Sequence, residues 1–204
     1  MAASDTAIAN LALSHLGNKD SLSDIETDTS REAEVCRIFF DTVRDEMLRQ
    51  FPWPFATKFA ELSEVEEEPD PPDEWGYSYR YPSDCLYIRR ILSGARNDSR
   101  ATREPYKIGV DGTGKLIYTD LESAVVEYTF RNEDPTDYPD DFTMALSYRL
   151  ASYMAPQLTQ GDPFALRDFC LKMYALSVSA ANAAAFNEEQ PDEPPDSEFI
   201  SSRA

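Results

Sequence analysis

Two prolines, Pro52 and Pro54, cut the chain directly behind its strongest helical stretch. Thr29-Ser30-Arg31-Glu32 has the form of a capping box. Behind it Ala33, Cys36, Phe39, Phe40, Val43, Met47 and Leu48 trace a wide apolar face at helical spacing. Proline lacks an N–H and restricts the residue before it, so that helix cannot pass Phe51-Pro52-Trp53-Pro54-Phe55. Whatever this chain folds into must turn at a short segment loaded with aromatic rings.

The flanks carry further helices. Ser4 is placed to cap a first helix bearing Ile8, Leu11, Ala12, His15 and Leu16, which stops at Gly17. The connector behind it holds Leu22 and Ile25 as lone apolar anchors. Pro139-Asp140-Asp141 opens a third helix with Phe142, Leu146, Leu150, Tyr153 and Met154; Asp140-Asp141 reads as its cap. A fourth starts near Asp162-Pro163 and runs through Phe169, Cys170, Met173 and Leu176 into "SAANAAAF", small residues that let a partner helix approach closely.

The middle is different. Residues 61–74, "ELSEVEEEPDPPDE", hold eight acids and three prolines and read as an extended acidic linker. Beyond it short runs rich in Tyr, Ile and Val alternate with turn residues, and Asp111-Gly112 marks a hairpin. The predicted class is therefore α+β, mainly α. About four helices (1–60 and 136–187) form a bundle, and residues 61–135 supply the linker and one small inserted antiparallel sheet. The tail, 188–204, with six acids and three prolines, is expected to be flexible and disordered.

Composition excludes several functions. The net charge of -19, from 38 acids and 19 bases, argues against a free-standing nucleic-acid binder. No stretch reads as a membrane helix and the N-terminus has no secretory pattern, so no membrane partner is expected. Three scattered cysteines, Cys36, Cys85 and Cys170, fit a reducing compartment better than a disulfide scaffold.

No catalytic, cofactor-binding or metal-binding constellation is expected. The single histidine, His15, reads as a packed core residue, and the cysteines do not supply zinc ligands. "DGTGK" lacks phosphate-loop spacing and reads as a turn. The stretch from Asp24 resembles the start of a calcium loop, but Thr29 and Val35 stand where glycine and the bidentate glutamate are needed. One anomaly remains. Between Arg80 and Lys115 eight bases, among them Arg89, Arg90, Arg96, Arg100 and Arg103, face four acids. They read either as a charge-protected sheet edge or as a docking face for an acidic neighbour, another copy or a tail protein.

Six stretches recur in one order: "ALSHLG" (12–17), "SLSDIETDTSREAEVC" (21–36), "RDEMLRQFPWPFA" (44–56) with "AEL" after it, "YRYPSDCLYIRRI" (79–91), "GKLIYTD" with "AVVEYTFR" (114–131), and "YPDDFTMALSYRLASYMAPQLT" (138–159). In this order the chain resembles the head-to-tail adaptor family of short-tailed phages, known as tail tubular protein A or tail accessory factor. The resemblance covers roughly residues 7 to 185 and implies a structural protein of the virion neck, assembled in the bacterial cytoplasm.

Such adaptors form a ring, usually of twelve copies, below the portal. They extend the channel through which double-stranded DNA passes without specific binding, and they anchor the next tail or nozzle protein. Twelve chains at -19 would carry -228 formal charges, and acids lining the lumen would repel the phosphate backbone. The resemblance implies a portal-docking role for the tail residues Phe199, Ile200 and Arg203. It also casts Phe51, Trp53 and Phe55 as an aromatic plug folded onto the bundle while the prolines turn the chain, with a core role favoured over recognition. The competing functions are a phage cell-wall hydrolase, which would need two carboxylates set in a cleft, and an acidic DNA-mimic interaction module.

Overall fold

The computed structural model describes residues 4–66, 69, 74–94, 103–159 and 161–188. Its elements are α1 (Asp5–His15), α2 (Arg31–Gln50), β1 (Thr57–Glu61), β2 (Tyr77–Arg80), β3 (Cys85–Ile91), β4 (Lys107–Asp111), β5 (Gly114–Thr119), β6 (Val125–Phe130), α3 (Asp140–Leu158) and α4 (Pro163–Glu188). The fold is mixed α+β. Phe199, Ile200, Arg203, Arg96 and Arg100 lie outside the described residues.

α1, α2 and α4 each start where a side chain, Ser4, Ser30 or Asp162, meets an orphan backbone N–H. Ser4 Oγ accepts from the Ala7 N–H at 3.1 Å, and Gly17, at φ 75°, ends the turn after α1. For α2 the cap is Ser30, which accepts from the Ala33 N–H. This corrects the expected capping box on Thr29. With Ser30 as the cap, its own N–H donates to Asp28 Oδ1 at 2.9 Å, and Ala33 stands where a box glutamate would be needed. The N-cap of α3 is Pro139; Asp140 and Asp141 sit inside its first turn, where a negative charge is favourable.

Asn10 clamps the connector by exchanging two hydrogen bonds with the backbone of Leu22, at 2.7 and 3.0 Å. Leu22 and Ile25 are thereby pinned in the core. That core is shared by all four helices. Ile8, Leu13, Met47, Leu48, Phe142, Leu146 and Leu150 meet in it together with Trp53. α3 packs against α1, α2 and α4.

The single inserted sheet of the sequence reading is in fact two three-stranded antiparallel sheets, in strand orders β1-β6-β3 and β2-β5-β4. Their backbones make separate ladders, while their side chains share a second core of Leu62, Tyr79, Ile88, Ile91, Ile117, Val126 and Tyr128. Two faces that are both apolar must cover each other, which one flat sheet cannot do.

Two boundaries shift as a result. Thr57–Glu61, expected mostly in the helical part, pairs with β6, because the chain turned at Pro52 and Pro54 emerges alongside that strand. The start of the acidic linker is also ordered. The Leu62 N–H donates to Ala124 O, the Val65 N–H to Ser78 O, and the Arg80 N–H to Ser63 O, so residues 62–65 cross from one sheet to the other. Leu62 supplies the reason, since its side chain is buried in the second core.

Candidate functional site

The aromatic–proline segment links α2 to β1 and packs into the helical core, while Phe130 of β6 lies against both cores. Trp53 is 1% exposed, and its indole Nε1 donates to the carbonyl of Met47 at 3.0 Å. It therefore satisfies one of the orphan carbonyls in the last turn of α2. Its ring meets Phe142 edge-on at 5.0 Å and Phe51 at 5.1 Å. Phe55 packs on Phe142 at 4.9 Å and on Tyr138 at 5.6 Å. Edge-to-face geometry sets the positive rim of one ring on the negative face of the next. Residues 54–56 form one 3-10 turn, after which the chain enters β1. A groove of about 440 Å³ lies beside this cluster, lined by Trp53, Phe55, Pro139 and, from α4, Ala181 and Ala185.

Arg89 fastens the sheets to the helices. Its Nη2 donates to the carbonyls of Phe51 (2.7 Å), Arg49 (3.1 Å) and Leu48 (3.4 Å), and its Nε donates to Thr129 Oγ1 at 2.8 Å. This is a C-terminal cap of α2 supplied by a residue of β3, with the charge sign that the helix dipole favours. Nothing near α2 in the sequence announces it, since the arginine lies in a strand far along the chain.

The basic stretch is thus mostly engaged within the subunit. Arg80 pairs with Asp111 at 2.8 Å, Arg90 with Glu127 at 2.5 Å and Lys107 with Glu74 at 3.4 Å. Lys115 lies over the Tyr81 ring at 5.1 Å. Arg103 is exposed. Of the residues expected on a docking face, Arg89 and Arg90 bind groups of their own subunit, because each lies beside carbonyls or a carboxylate that folding leaves half-buried.

Burial alone would raise the Asp111 carboxyl. Hydrogen bonds from Thr113 and Gly114 and the Arg80 guanidinium instead hold it far below the usual carboxylate range. "DGTGK" is the β4–β5 turn, built on that carboxylate.

His15 Nε2 lies 3.0 Å from Ser147 Oγ, and its ring stacks on Tyr148 at 3.9 Å. Ser147 Oγ also lies 2.7 Å from Met144 O, to which its hydroxyl donates when the Nε2–H tautomer of the histidine donates to Oγ. Burial lowers its pKa. Cys36 is packed against Met154 Sδ at 3.6 Å, and burial pushes its thiol up to about 11. Among the described residues no three His, Cys, Asp or Glu side chains group as a metal site.

A buried arginine also escaped the sequence reading. Arg44, 4% exposed, pairs with Asp41 at 3.1 Å and lies 3.5 Å from both Asp45 and Glu133, tying α2 to the connection between β6 and α3. Its only signal was its place on the apolar side of α2.

α4 is the outermost helix. It packs chiefly on α3, and of its 26 residues Cys170 and Ala181 are the buried ones. Phe164, Phe169, Leu176 and Phe186 are exposed. By length and composition alone this helix is apolar enough to cross a membrane, with mean hydropathy 1.2 over its window, of which 17% is buried. It contains no unbroken apolar run: alanines spread among serines raise the mean.

No protein-family model and no curated protein matches the chain.

Proposed function

We propose that this chain is a structural head-to-tail adaptor of a tailed phage: a mainly α helical bundle with an inserted β module, assembling as a ring of twelve below the portal. The ring extends the DNA channel and gives the next tail protein its attachment surface. The observation that carries this reading is the order of parts. The six stretches that resemble the adaptor family span α1, α2 with its aromatic–proline turn, the inserted strands and α3.

The physical features suit such a role. A lumen wall drawn from a chain at -19 repels phosphate, so DNA slides along it without adhering. The inserted sheets are fixed to the helices by Arg89 and the aromatic cluster, which suits a part that transmits force between neighbours. The acidic tail, with Phe199, Ile200 and Arg203, is assigned to the portal.

Light-scattering mass after size exclusion tests the proposal, on the chain alone and mixed with the portal ring of its virus. A portal species heavier by about twelve copies of 23.1 kDa is expected. A chain that stays monomeric and unbound in both samples sinks it.

A further inference from the structure

We propose that copies of this chain join head to tail, the outward face of α4 on one copy lying against the outward face of α2 on the next. This rests on the ring reading above and specifies its contact. α3 packs on both α2 and α4, so the faces those two helices turn away from it point in different directions. A repeating, ring-closing contact needs two such faces, whereas a self-complementary one would stop at a dimer.

Charge selects the partner. Two copies at -19 repel each other unless they meet where acids are missing or are opposed by bases. From Phe169 to Asn187 α4 carries no acid at all, in a chain that holds 38. Its exposed centre is apolar, with Phe169 at 50% and Leu176 at 68% exposure, and the exposed Lys172 stands between them at helical spacing, while Arg167 is paired with Asp168 of its own helix at 2.9 Å. The outward face of α2 is the complement. There Ile38, 58% exposed, sits between the exposed acids Glu34 and Asp41 at helical spacing. Set side by side, Ile38 reaches the Phe169 and Leu176 patch while Lys172 of α4 faces Glu34 of α2. At the helical rise the two helices are roughly 30 and 39 Å long, so they can run alongside each other over most of α2. A second copy also accounts for an apolar helix that its own subunit leaves open.

The test uses Leu176→Asp and Ile38→Asp in the full chain. Both sites are exposed, so both variants should keep the wild-type circular dichroism. Assembly is read as light-scattering mass against concentration, alone and on the portal ring. Each variant is expected to need about tenfold or more protein for half-assembly. Mixed together, the two variants keep one intact junction, α4 of the Ile38→Asp copy against α2 of the Leu176→Asp copy. They should form a pair of twice 23.1 kDa that grows no further.

Three results overturn the proposal. They are either variant assembling like wild type, the mixture yielding no pair, and wild type but not Leu176→Asp floating with phosphatidylcholine–phosphatidylglycerol vesicles, which assigns α4 to a lipid surface. The first two leave the ring reading standing. A wild-type chain that never exceeds monomer mass, alone or on the portal, removes both.

Discussion

The guanidinium of Arg89 donates to the carbonyl of Phe51 at 2.7 Å, closing the C-terminus of α2 with a side chain from β3. The same Nη2 lies within reach of the Arg49 and Leu48 carbonyls, and Nε holds Thr129 in β6. One residue therefore joins a helix end, the strand that carries it and the neighbouring strand. Charged hydrogen bonds of this kind contribute more than neutral ones, and removing the donor leaves several carbonyls half-buried and unpaired.

Arg89→Ala is expected to lower unfolding stability by about 2–3 kcal/mol in urea denaturation. Arg89→Lys should recover little of that, because one ammonium cannot address the carbonyls and Thr129 together. A loss below about 0.5 kcal/mol for Arg89→Ala would mean the bonds are exchanged for water at no cost.

Trp53→Ala opens a cavity between α2 and α3 and should cost about 3–5 kcal/mol. Trp53→Phe keeps most of the ring but deletes the N–H that meets Met47, with an expected cost of about 1–2 kcal/mol. If both variants unfold at the same urea midpoint, the indole hydrogen bond contributes nothing and packing alone fixes the turn.

Gly109 in β4 lies directly under the ring of Tyr118 in β5, so a Cβ there would run into that ring. Gly109→Ala should destabilise by about 1–3 kcal/mol. Combining it with Tyr118→Leu should give less than the sum of the two single losses, measured as a double-mutant cycle. Strict additivity would show that Tyr118 moves aside freely.

His15 titrates with a definite sign. Burial holds its folded pKa below the ordinary value of 6.5, so the unfolded chain binds its proton first. The stability it supports is fully present above about pH 6.5 and declines as pH falls through that value. Between pH 7.5 and 5.5 the wild type should lose more stability than His15→Gln, whose amide can still donate to Ser147. Equal losses in the two proteins would assign the pH dependence to other groups.

Local signals alone placed a good part of this protein. The Ser4 cap and the stop at Gly17 delimit α1, and the prolines end α2 after Phe51, because caps and breakers act within a few residues of themselves. The Asp111 turn was legible for the same reason: the hydrogen bonds that close it come from Thr113 and Gly114, two and three positions on. The aromatic load of residues 51–55 required that something be covered there, though not by what. Tertiary structure decided the rest. It divided the strands between two sheets, since the face a strand buries depends on which other apolar face meets it. It moved the α2 cap from Thr29 to Ser30, where Asp28 reached the backbone first. It turned Arg89 and Arg90 from apparent surface charge into internal fastenings, and left α4, long and free of acids from Phe169 to Asn187, largely exposed. These outcomes depend on pairs far apart in the chain, such as Arg89 with Phe51 and His15 with Ser147, and a sequence carries no local mark of a partner that only folding brings within 3 Å.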